Sequence, residues 1–175
     1  IIFNKKKLNS NLVGEIYEKY KIKEVDYIDN DFIINKKEFG ELDFFDENIF
    51  IYYDTMDFCT RVRKFNKKIY ICEKIKFTHF GSQSHHPKFS YEVSLNRHWH
   101  YNWSKFYYFK KHFGYFHALK KILPNFIKSI KLMFICKIKK NCKEYGLYKA
   151  QFSGIVSSVL NKPSSYRPLE NKLEQ

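Results

Sequence analysis

Two acids three residues apart, Asp54 and Asp57, follow the aromatic run Ile49-Phe50-Ile51-Tyr52-Tyr53 and open a stretch with helical spacing. A carboxylate at a strand end stands where open α/β sheets bind their ligands, outside the carboxyl ends of the strands. Asp54 is therefore the first candidate for proton transfer and Asp57 the second. Each has a structural role in competition: Asp54 has the type and place of an N-cap, and an acid in the first turn gains about 0.3–1 kcal/mol from the helix dipole. Further on, His79 ends another Ile- and Phe-rich run and precedes Gly81, Ser82 and Ser84. A neutral imidazole is a common metal ligand, and the two serines offer hydroxyls to a phosphate or a sugar or cap the next turn. Arg61, one turn after Asp57, pairs with an acid to fix the helix or reaches a substrate.

Positioning these groups takes strands ahead of Asp54 and His79 with a helix between them. Residues 25–35, 49–53 and 68–77 read as strands and 36–42 as a short helix. Residues 55–66 read as a helix that buries Phe58, Val62 and Phe65 on one face. Residues 81–90 are an aperiodic Gly/Ser/His/Pro loop of the kind that often carries function. From residue 91 the pattern turns helical, over 95–113 and 116–140, with Pro124 expected to kink or restart the second helix. Residues 1–24 read as a loop or weak helix without an assigned function, and 166–175 as a tail.

The charge is segregated. The net charge of the 175 residues is +14, 13 of the 18 acids fall within residues 1–60, and residues 93–143 hold 12 Lys and Arg and no acid. Such a half predicts a polyanionic partner: nucleic acid, an anionic membrane surface or the phosphates of a substrate. A nucleic-acid module would stack bases on Trp99, Trp103 and Tyr107 and hold phosphates with lysines. The spacing favours a membrane instead, because Leu119, Ile122, Leu123, Phe126, Ile127 and Ile130 share one side of the second helix with Lys120, Lys121, Lys128 and Lys131 around it, as in helices lying on an anionic leaflet. No apolar run reaches the ~20 residues needed to span a bilayer. The four cysteines lack zinc-ligand spacing and read as buried thiols. His85-His86 and His98-x-His100 are spaced poorly for ligands on one helical face and read as polar loop and helix surface.

Three segments carry a resemblance: Phe45-Asp46-Glu47-Asn48 through Asp54-Thr55-Met56-Asp57-Phe58-Cys59-Thr60-Arg61, then Lys76-Phe77-Thr78-His79-Phe80-Gly81-Ser82, and the aromatic-basic run from His98 to His112. Together they resemble the second half of family-2 glycosyltransferases, above all rhamnosyltransferase-like members. The resemblance implies an α/β fold, the second half of a GT-A (Rossmann-like) mixed sheet followed by a carboxyl-terminal helical region. It divides the chain into an acceptor-side part (1–90), a basic amphipathic helical region (91–165) and a tail (166–175), with the nucleotide-binding half upstream. The chain begins Ile1-Ile2-Phe3 without a Met, and a fragment is expected.

The same resemblance implies inverting transfer of a sugar from a nucleotide-sugar donor to a surface polysaccharide or lipid-linked acceptor, in the cytoplasm at the inner face of the membrane, with no nucleic acid as partner. It implies a divalent metal, Mg or Mn, held by His79 and completed by an upstream Asp-x-Asp; Asp29-Asn30-Asp31 has the letters but reads as a loop. Substrate contacts fall to Thr55, Arg61, Gly81, Ser82 and Ser84, and membrane contacts to Lys120, Lys121, Phe126, Lys128, Ile130 and Lys131. The family's base falls on Thr55, whose hydroxyl binds a proton far too weakly to serve. Three alternatives stay open: Asp54 takes the proton, Asp57 takes it, or the chain is a non-catalytic membrane-surface protein derived from a transferase.

Overall fold

The computed structural model describes residues 10–28, 32–34, 44–76 and 85–168. The chain is mixed α/β and mostly helical, and it forms two compact units, residues 1–46 with 54–80 and residues 47–53 with 81–175.

The first unit contains α1 (Ser10–Tyr20), β1 (Ile22–Val25), α2 (Asp54–Lys64) and β2 (Ile69–Cys72). The two strands pair antiparallel, with Ile22 opposite Cys72 and Val25 opposite Ile69. Phe58, Cys59 and Val62 lie on one face of α2, because residues one turn apart are neighbours on a helix. With Ile69 they form a core closed by Val25, Ile28, Phe32 and Ile34. Phe32 stacks on Phe58 at 5.8 Å, and Phe45 leans on Phe58 at 5.5 Å. Asn66 ends α2 in the left-handed region (φ 53°), with its N–H bonded to Arg63 O and that of Lys67 to Val62 O, a Schellman closure. The helix therefore stops short of Phe65, which is exposed and not part of the expected buried face.

The described residues do not show the expected GT-A sheet. Among the described residues there is one two-stranded sheet. Residues 32–34 are not strand, residues 36–42 and 77 lie outside the described residues, and residues 49–53 are irregular. Tyr52 and Tyr53 have φ of 64° and 63°, a left-handed pair that cannot continue a strand and costs about 1–2 kcal/mol per residue. Ring packing in the second unit offsets that cost: Tyr52 meets Tyr101 at 5.7 Å, and Tyr53 meets Tyr101 at 5.6 Å and Tyr108 at 5.3 Å.

The second unit is a bundle of α3 (Ser90–Phe113), α4 (Tyr115–Ile138) and α5 (Cys142–Val159), entered through a 3₁₀ turn, Pro87–Phe89, and with every helix packed on the other two. Gly114 alone links α3 to α4 at φ 89°, a conformation suited to glycine. Phe106, Ala118, Ile122 and Ile155 make one buried cluster and Trp99, Trp103 and Ala150 another. Gly154 sets the crossing of α5 on α3, since a Cβ there would stand 2.3 Å from the Trp99 carbonyl oxygen.

Of the kink or restart expected at Pro124, the restart does not occur: α4 runs through it as one helix. Hydrogen bonds from outside hold that turn: Asn125 Nδ2 donates to Asn102 Oδ1 (2.8 Å) and Gln151 Nε2 to Asn125 O (2.9 Å). After α5 the chain folds back, with Trp103 Nε1 donating to Lys162 O at 2.9 Å and Tyr166 stacked on Trp99 at 5.5 Å. The expected tail is thus anchored at its first residue, and residues 169–175 lie outside the described residues.

Candidate functional site

The start of α2 holds the candidate acids. Asp54 is the first helical residue and is half-buried, as is Thr55 beside it. Asp57, one turn on, is fully buried, and Arg61 Nε donates to its Oδ2 at 2.8 Å. Arg61 also donates through Nη2 to Phe44 O and lays its guanidinium over the Phe58 ring, 5.6 Å from the centroid. Breaking such a buried pair costs about 3–5 kcal/mol because one charge is stranded. The Asp-x-Cys-x-Arg spacing thus has a structural meaning: it puts an acid and its cation one turn apart, where they can pair. Asp57, without solvent exposure and bonded to a guanidinium, is poorly placed to accept a proton, and Arg61 is committed to that pair and to Phe44. Asp54 keeps its exposure and stands at the helix end whose N–H groups favour a carboxylate. It follows the left-handed tyrosines and is not at a strand end as expected.

His79, Gly81, Ser82 and Ser84 lie outside the described residues. Among the described residues no three of His, Cys, Asp and Glu come together to hold a metal ion, so those residues do not fit a Mg or Mn centre by themselves. The histidine pair at 85–86 serves the next element: His86 Nδ1 accepts from Lys88 N–H at 3.3 Å, capping the 3₁₀ turn, and His85 Nε2 lies 3.4 Å from Ser90 Oγ. All four cysteines are free. Cys59 and Cys136 are buried as expected, Cys72 is half-buried and Cys142 is exposed.

The surface expected for His98-x-His100 is corrected for His100, which has no exposure at all. Its Nε2 meets Tyr166 O and its Nδ1 meets Ser164 Oγ, both at 2.9 Å. The tautomer with hydrogen on Nε2 satisfies both contacts, donating to the carbonyl and accepting from the hydroxyl. Phe50 covers the ring at 4.9 Å, and the Arg167 guanidinium lies over Phe50 at 3.6 Å while Nη1 stands 3.1 Å from Nε2. Burial first, and then Arg167, hold His100 down to about 4, against the Tyr166 carbonyl, which pulls it up. Trp99 and Trp103, the stacking platform of a nucleic-acid module, are each only 3% exposed, and their indole N–H groups are used on Ser153 and Lys162. Sequence reasoning missed this buried polar girdle. The available signal was the weak amphipathicity of α3, whose buried positions 99, 100, 102, 103, 104, 106 and 108 span most of its circumference.

The expected apolar face of α4 is split. Leu119, Ile122 and Phe126 turn into the bundle, Phe126 stacking on Phe152 at 5.3 Å, so Phe126 does not join the outer face. Leu123, Ile127 and Ile130 point outward, with Lys120, Lys121, Lys128 and Lys131 exposed beside them. No helix among the described residues is long and apolar enough to cross a membrane. Compared with known proteins, the chain matches no family model, no curated protein and no solved structure.

Proposed function

We propose that this chain is the acceptor-side part of a family-2-like inverting glycosyltransferase working at the inner face of a cell membrane, with the donor nucleotide held by sequence outside these 175 residues. The observation that supports it best is the half-buried Asp54 opening α2 with the Asp57–Arg61 pair fixed behind it. In this reading the Asp54 carboxylate takes the proton of an acceptor hydroxyl while that oxygen attacks the anomeric carbon on the side opposite the departing nucleoside diphosphate. The configuration inverts as the bond to the diphosphate breaks. Asp57 with Arg61 holds the first turn of α2, and with it Asp54, in place. A bound divalent metal would supply charge stabilisation for the diphosphate, and the described residues leave its ligands to His79 and to sequence elsewhere.

The assay is sugar transfer from a panel of nucleotide sugars to a membrane fraction, read as nucleoside diphosphate released. Asp54→Asn should lower turnover by about 10²–10⁴ with an unchanged circular dichroism spectrum. Turnover unaffected by that change, or raised above wild type by Thr55→Asp, would show that Asp54 is not the base. Thr55 in the family's base position favours a second reading, a non-catalytic protein of the membrane surface, and transfer from no donor would select it.

A further inference from the structure

An α-helix turns about 100° per residue, so Phe116, Leu123, Ile127, Ile130, Phe134 and Ile138 fall within about 40° of one direction on α4. All six are exposed, Phe116 at 79% and Phe134 and Ile138 each at 67%. The opposite face, with Ala118, Ile122, Ser129 and Cys136, is the one packed in the bundle. The stripe runs from Phe116 to Ile138, about 33 Å of helix, and exposed apolar surface on that scale marks an interaction site on a folded protein. Exposed Lys120, Lys121, Lys128, Lys131 and Lys137 flank it. Midway along, Leu123, Pro124, Ile127 and Leu132 floor an open depression of about 590 Å³ with Lys128 and Lys131 on its rim.

We propose that this face lies flat on an anionic lipid bilayer, with the α4 axis in the membrane plane, the six apolar side chains at the boundary of headgroups and acyl chains, and the lysines on lipid phosphates. Charge selects this occupant over a second copy of the chain. A twofold contact through the stripe would bring lysines against lysines, with no acid anywhere in residues 93–143 to pair them. A nucleic acid would satisfy the lysines and leave six large apolar groups facing its phosphates and their water. An anionic bilayer has an apolar interior beneath a negative surface, and an interfacial helix uses both. Each lysine near such a surface multiplies partition about fivefold.

The inference deepens the membrane placement in the proposed function. Vesicle binding is measured without donor or acceptor, so its failure and the failure of sugar transfer are separate results. The full chain is sedimented with vesicles of phosphatidylcholine, with and without phosphatidylglycerol, at low and high salt. Binding should require phosphatidylglycerol and weaken with salt. Ile127→Ser with Phe134→Ser should lower partition at least tenfold while the melting temperature stays at the wild-type value, because both side chains are exposed. Lys120→Gln, Lys128→Gln and Lys131→Gln together should lower it about a hundredfold, fivefold for each charge. Wild-type partition of the serine variant would overturn the proposal. So would a concentration-dependent dimer that the serine variant abolishes, or single-stranded DNA binding without vesicle partition that only the lysine variant loses.

Discussion

Burial of His100 makes the second unit acid-sensitive. Its ordinary value of 6.5 applies in the unfolded chain and about 4 in the folded one, set by burial and by the Arg167 guanidinium beside Nε2. The unfolded chain therefore binds the extra proton between pH 6.5 and 4. The depressed value contributes stability that is present above pH 6.5 and lost as pH falls through 4. At pH 5, about 1.5 units below the ordinary value, the unfolded imidazole is protonated and the folded one still largely neutral. At 1.36 kcal/mol per unit the loss between pH 7.5 and 5 is about 2 kcal/mol. Both tryptophans of the chain sit in this unit, Trp99 at 4.7 Å from the His100 ring, so urea titrations followed by tryptophan fluorescence report on it. Carboxylates elsewhere also titrate, and His100→Gln isolates the histidine. The variant should be less stable than wild type at pH 7.5 but lose about 2 kcal/mol less on going to pH 5. Equal losses in the two proteins would refute the assignment of a neutral, buried His100.

Other expectations follow from single contacts. Asp57→Asn and Arg61→Ala should each cost about 3–5 kcal/mol in the first unit, with the double variant costing clearly less than the sum, whereas Asp54→Asn should change stability by under about 1 kcal/mol; a denaturant double-mutant cycle reads all three. Gly154→Ala improves helix propensity by about 1 kcal/mol, yet its Cβ would stand 2.3 Å from a backbone oxygen of α3; a net loss of about 2 kcal/mol is expected by thermal melting, and a gain would mean that the helices can separate freely. Phe126→Ser should destabilise the bundle by about 3 kcal/mol through its lost place on Phe152, while Ile127→Ser, one residue on and exposed, should leave the melting temperature unchanged.

Helices were legible where the apolar spacing is strong, though no separate helix was expected over Cys142–Val159, where α5 forms. The helix expected over 55–66 forms as Asp54–Lys64, and those expected over 95–113 and 116–140 form as Ser90–Phe113 and Tyr115–Ile138. The strand expected over 49–53 was misread because aromatic and β-branched residues suit a strand only when a neighbouring strand is there to pair. Here the rings of Tyr52 and Tyr53 gain more from Tyr101 and Tyr108, and Ser104 Oγ holds Ile51 O at 2.8 Å, so the backbone bends to follow the helix. Pro124 does not restart α4 for a related reason: local rules count the missing N–H, but not the Asn102–Asn125–Gln151 bonds that hold the turn from other helices.

The candidate site shows the same boundary between local and tertiary information. Spacing alone put Asp57 and Arg61 one turn apart, and a pair is what forms. Spacing could not tell which of Asp54 and Asp57 is buried, because both lie in the first turn and burial depends on what packs against each from elsewhere in the chain. In the fold Asp57 is fully buried and paired with Arg61, while Asp54 stays half-buried at the helix start. The α4 stripe follows from the same logic. Leu119, Ile122, Leu123, Phe126, Ile127 and Ile130 are too many for one face of a helix, since residues one position apart point about 100° away from each other. Such a set must be divided between two environments. The bundle takes Leu119, Ile122 and Phe126, and the remainder, joined by Phe116, Phe134 and Ile138, stays exposed on the outer face, the surface proposed above to meet an anionic bilayer.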